Sequence, residues 1–225
     1  MSSVNMGNLR GFAASRWEKL LRQFDDLDAL RQRLDYQTYI LAAAGLASSL
    51  LLGFGDLATR GSIAARQEED MQATLEQVLP SELHDNVLLH DVKTLAEGNQ
   101  ATPVYIARKQ GAVTGVAFKF IATGGYSGPI TLMMGVDKDG TVLGVRVVAH
   151  AETPGLGDKI ELSKDKWILS FNTKSLENLA PERWKVKKDG GDFDQFAGAT
   201  ITPRAVVHGV EAGLKFFRAH KAEFQ

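Results

Sequence analysis

Thr200 is a hydroxyl with cleared space in front of it. It follows Ala197, Gly198 and Ala199 and precedes Ile201, Thr202 and Pro203. Thr202 is a residue type that caps helix starts, and Pro203 suits a first helical position, where no N–H is needed. Val206, Val210, Leu214 and Phe217 then recur on one face, which predicts a helix docked on the core. The start of such a helix carries free N–H groups and roughly half a unit of positive charge. That combination is a seat for an anion, phosphate foremost. On these residues alone, the plainer reading of "AGAT" as a tight turn feeding a capped helix stays open and is favoured.

Other chemistries are poorly supplied. The chain has 225 residues, a formal net charge of −1 and no cysteine. This excludes disulfides, thiolate metal sites and cysteine nucleophiles. The balanced charge argues against nucleic acid as a partner. Five histidines are present, none spaced as H-x-x-x-H. His150 and His208 read as ordinary, partly buried histidines without a role. Phosphate loops of the G-x-x-x-x-G-K and G-x-G-x-x-G types are absent, so the chain itself is not expected to bind a dinucleotide. Lys187 and Lys188 could neutralise an anion near Thr200, although two lysines before a turn are more simply solvated.

The elements that would position Thr200 form an α+β domain, a mostly antiparallel sheet with packed helices. "DNVLLHDVKTL" and "TPVYIARKQG" read as short strands, and "AVTGVAFKFIA" as a strand with Val116, Phe118 and Phe120 on one side. Asp137-Lys138-Asp139-Gly140 between two apolar runs predicts a hairpin. "AETPGLGDKI" is a tight loop, residues 161–180 look mainly helical, and "RWKVKKDGGDF" reads as a short strand and turn.

Ahead of this domain, residues 36–55 carry no charge. Twenty helical residues span ~30 Å, the hydrocarbon thickness of a bilayer. Tyr36, Tyr39 and Phe54 lie near its ends, where aromatic rings favour the interface. The run is too long, and too far from the start, for a cleaved signal peptide. Residues 1–35 form a polar, helix-like extension that could dock on a partner or lie on membrane lipid, and residues 56–80 form a linker helix ended by Pro80. Five Lys or Arg residues lie in 16–35 against two in 56–75, which puts the N-terminus in the cytoplasm. Residues 81–225 then form an outer domain, periplasmic in a bacterium with two membranes.

Residues 194–200, "DQFAGAT", resemble a flavinylation motif: Asp, two variable residues, Ser or Thr, Gly, Ala, Thr. Asp194, Gly198, Ala199 and Thr200 carry the match, and Ala197 stands where the pattern has a hydroxyl. "GGYSGPITLMMGVD" and "AHAETPGLGDKI" resemble the strand pair and flavin-edge loop of the same FMN-binding domain. With the apolar span, the resemblance is to the G subunit of Rnf-type electron-transport complexes. The C subunit of sodium-pumping NADH:quinone reductases shares the domain and stands second. A non-redox anchored assembly module, with Ala197 in its favour, is a rival of another class.

The resemblance implies FMN joined through its phosphate to Thr200 by a flavin transferase. It also implies contact of Glu152, Thr153, Gly155 and Leu156 with the isoalloxazine ring, Leu156 packing on it and Glu152 and Thr153 bonding its polar edge. The expected role is electron relay between NADH and ferredoxin, beside other membrane subunits of the complex and coupled to ion movement.

Overall fold

The computed structural model describes residues 34–97 and 100–224. The helical reading of the extension, residues 16–33, lies outside them. Helix α1, Leu34–Val78, runs unbroken through the apolar stretch and the polar one that follows. It is the one described helix long and apolar enough to cross a membrane. Tyr39, Leu41, Leu51, Leu52 and Phe54 are all exposed on it, as side chains meeting lipid would be. The chain divides into two compact units between Ala65 and Arg66.

The second unit is built on one antiparallel sheet with strands in chain order. These are β1 (Val92–Glu97), β2 (Gln100–Lys109), β3 (Ala112–Ala122), β4 (Ile130–Asp137) and β5 (Val142–Ala149). The β4–β5 turn is held by the Asp137 carboxylate, whose Oδ1 accepts the N–H groups of Asp139 and Thr141 at 2.9 and 2.8 Å. Strand alternation sends Ala107, Ala117 and Met133 to one face, where Leu75, Val78 and Leu79 cover them. Val116, Phe118, Leu132 and Met134 point to the other face. There helix α2, Ile201–His220, lays down Val206, Val207, Val210, Leu214 and Phe217. His208 sits on its outer side and is exposed, against the expectation of partial burial.

Residues 150–200 contain no α-helix, which corrects the helical reading of 161–180. A short 3₁₀ turn at Lys166–Phe171 takes its place, after another at Gly157–Ile160. Side chains compete there for the backbone. Asp165 accepts the Trp167 N–H, Asn178 accepts the Ser175 N–H and donates to the Thr173 carbonyl, and Ser175 accepts from Glu177 and Asn178. The Thr173 N–H and the Lys174 carbonyl pair with Val142. The strand expected in "RWKVKKDGGDF" is a single bridge, Val186 to Phe193. In "DNVLLHDVKTL" only Val92 onward is strand, and Leu88–His90 is a 3₁₀ turn. An aromatic cluster holds the irregular segment to the core. Phe171 stacks on Phe193 at 4.6 Å between ring centres, and Trp167 meets Phe196 edge-on at 5.1 Å.

Candidate functional site

Three segments meet at one end of α2: the loop after β3, the loop after β5, and the helix start itself. Glu152 is their common partner and is 4% exposed. Its Oε1 accepts the Ser127 N–H at 3.0 Å. Its Oε2 accepts the Thr202 hydroxyl in a short hydrogen bond. The Glu152 N–H donates to His150 Nδ1 at 3.0 Å, and His150 Nε2 lies 2.8 Å from Glu161 Oε1. Nδ1 is therefore an acceptor, and Nε2 carries the proton given to Glu161. That hydrogen bond holds the Glu161 carboxyl below its ordinary value.

Gly157 passes so close to this junction that no side chain fits. A Cβ there would lie 2.8 Å from Glu152 Oε2 and 2.9 Å from Thr202 Oγ1. The Thr153 carbonyl accepts the N–H groups of Leu156 and Gly157 at 3.1 and 3.0 Å, which curls the loop and presents the half-exposed Leu156.

The motif forms a β-turn. The Ala199 N–H donates to the Phe196 carbonyl at 3.1 Å, and Gly198 takes φ +80°, the left-handed backbone of a type II turn. Buried Phe196 anchors the turn against Trp167. The chain then enters α2 two residues earlier than the capping residues suggest. Thr200, not Thr202, stands at the cap position, and its hydroxyl makes no capping bond. Thr202 lies inside the helix, where its hydroxyl donates to the Glu152 carboxylate. The N–H groups of Thr200, Ile201 and Thr202 make no hydrogen bond among the described residues.

A cavity of about 340 Å³ opens here. Of the residues expected at a site, Glu152, Thr153, Leu156, Gly198, Ala199 and Thr200 line it together. Gly155 and Asp194 do not. Asp194 is on the surface behind the turn, paired with Lys187 Nζ at 2.6 Å, while its carbonyl accepts the Trp167 indole N–H at 2.7 Å. Lys187 is thereby committed, and neither it nor Lys188 reaches the cavity lining. Tyr126, Gly157, Ile201 and Thr202 complete the wall. Tyr126 was legible only as an aromatic in a glycine-rich loop. Ile201 carried no signal, and Thr202 carried a misleading one. Tyr126, Leu156 and Ile201 give the mouth an exposed apolar rim.

An apolar rim, free N–H groups at a helix start and an open hydroxyl fit a flat ring bearing a phosphate. The FMN-binding domain family matches residues 125–215, which include every residue lining the cavity. Relatives matched over most of their length agree. The G subunit of the ion-translocating oxidoreductase complex of Cereibacter sphaeroides is 53% identical over 185 residues, covering 82% of this chain and 84% of that one. Proteins of the same name from Shewanella amazonensis and Stutzerimonas stutzeri are 45% and 44% identical over 191 residues each. The alignments cover 82% and 84% of this chain and 88% and 83% of those proteins. The chain belongs to the family of G subunits of ion-translocating oxidoreductase complexes.

Proposed function

We propose that this chain carries FMN on Thr200 and relays electrons within a membrane-bound ion-translocating complex. The carrying observation is the contrast between two threonines. The Thr202 hydroxyl is buried and committed to Glu152, whereas the Thr200 hydroxyl faces the cavity unbonded at the cap of α2. A phosphodiester on Thr200 keeps one negative charge. The free N–H groups and the positive end of α2 would hold that charge. Leu156, Tyr126 and Ile201 would flank the ring, and Thr153 would offer it a polar group. The flavin supplies reversible electron uptake, and the protein supplies position, shielding and potential. A covalent tether retains the cofactor where no flavin pool refills an empty site.

On this reading α1 crosses the inner membrane with the N-terminus cytoplasmic, and residues 81–225 lie in the periplasm. A flavin transferase matures the chain, and other membrane subunits supply and receive electrons between NADH and ferredoxin. The relatives' shared name favours this role over that of the counterpart in sodium-pumping quinone reductases. Intact mass of the protein produced with its flavin transferase is the test. Wild type and Thr202→Val are expected to gain FMN minus water, and Thr200→Ala is expected to gain nothing. An unmodified wild type would overturn this reading.

A further inference from the structure

The resemblance implies that groups at Glu152 and Thr153 bond the polar edge of the flavin, and the geometry gives Glu152 a second task. Each of its carboxyl oxygens already makes one hydrogen bond within the protein, one with the Ser127 N–H and one with the Thr202 hydroxyl. The Glu152 carboxyl thus sits between a backbone N–H and a side-chain hydroxyl. It is almost fully buried, and no Lys, Arg or His pairs with it among the described residues. A buried carboxylate without a cation is costly and calls for an explanation. Here the compensation is partial: one amide, one hydroxyl and the positive end of α2, where Thr202 is the second helical residue. The ionisable side chains bonded nearby are His150 and Glu161, which form a pair with each other. Asp158, in the same loop, is also buried with Oδ1 unpartnered, and as a carboxyl it supplies no positive charge either.

We infer that Glu152 is a positioning residue that also sets the flavin's potential. This rests on the FMN reading above. The carboxylate lines the cavity wall and joins all three segments that form it. As a strut, it fixes Leu156, Tyr126 and the helix start relative to one another. As a fixed negative charge away from water, it opposes charge arriving beside it. Two electrons and one proton added to an isoalloxazine leave the ring with one net negative charge. The Glu152 charge disfavours that product, so the site holds a lower potential than the same cavity with a neutral residue. Glu161 carries the same formal charge but is more than a third exposed, so solvent screens it.

The experiment is a dithionite titration of the flavinylated full-length protein in detergent, followed by flavin absorbance, with FMN content checked by intact mass. Glu152→Gln keeps the shape and removes the charge. It is expected to shift the reduction equilibrium at least tenfold toward the reduced form, about 30 mV more positive for a two-electron couple. Glu161→Gln is expected to leave the potential where it is. An unchanged potential in Glu152→Gln with FMN bound overturns the inference and leaves the FMN assignment standing. Equal shifts in both variants also overturn it, because they would report net charge alone. A wild type that carries no FMN overturns both readings. If Glu152→Gln does not accumulate, Thr202→Val decides. It withdraws one donor from the carboxylate, and a displaced potential supports the inference while an unchanged one overturns it.

Discussion

Thr202, in the first turn of α2, donates a hydrogen bond from its hydroxyl to Glu152, which lies 50 residues earlier in the loop after β5. That bond replaces the capping role its residue type suggests. Thr202→Val removes the donor and leaves a buried carboxylate oxygen unpaired, which costs about 1–3 kcal/mol. Thermal unfolding of the full-length chain in detergent is expected to show the lower midpoint. Thr202→Ser, which keeps the hydroxyl, should recover most of it.

Gly157→Ala attacks the same junction sterically. Its Cβ would crowd both Glu152 Oε2 and Thr202 Oγ1. Both neighbours are held by the core, so the loop must shift, at a cost of about 1–3 kcal/mol. The two substitutions share one contact and should not add. In a double-mutant cycle, Gly157→Ala with Thr202→Val is expected to cost less than the sum of the single changes.

Much of the fold could be read from local pattern. Val116 and Phe118 alternate into the core, and Asp137 to Gly140 forms the expected turn. The face Val206, Val210, Leu214 and Phe217 is buried as its spacing implies. The failures are long-range or side-chain effects. Residues 161–180 have helical spacing, but Ser175 and Asn178 capture backbone groups that a helix would need. Thr202 carries a local cap signal, yet its partner is distant in sequence. In the candidate site, Gly198, Ala199 and Thr200 could be placed by motif. Asp194 belongs to the same motif but faces away, because the β-turn at Phe196 reverses the chain between them.

Acid should loosen the support of this site in a defined direction. The His150 hydrogen bond lowers the Glu161 carboxyl from its ordinary 4.5. A carboxyl depressed by folding stabilises the native state above its unfolded value and loses that contribution as pH falls through its folded value. The contribution is therefore whole at neutral pH and lost below about pH 4.5. Because Glu161 is partly exposed, the effect is modest. Urea midpoints in neutral and acidic buffer should differ less in Glu161→Gln than in wild type. Asp189, likewise lowered by its hydrogen bond with Arg204, is common to both proteins and drops out of the comparison.

Gly198→Ala separates backbone aim from cavity space. Its φ of +80° is strained for any L side chain, at roughly 1 kcal/mol. Space is not the obstacle: a Cβ would meet Leu156 Cδ2 at 3.6 Å, an ordinary contact. The strain is relieved only if the Phe196–Ala199 turn relaxes, and that turn aims Thr200 into the cavity. Leu156→Ala makes the opposite change, emptying the cavity wall without touching the turn. FMN content by intact mass is therefore expected to fall in Gly198→Ala and to stay near wild type in Leu156→Ala. Flavin absorbance and fluorescence should shift in Leu156→Ala, where the ring has lost its apolar neighbour. Normal FMN content in Gly198→Ala would mean that the turn's left-handed backbone is not what presents Thr200.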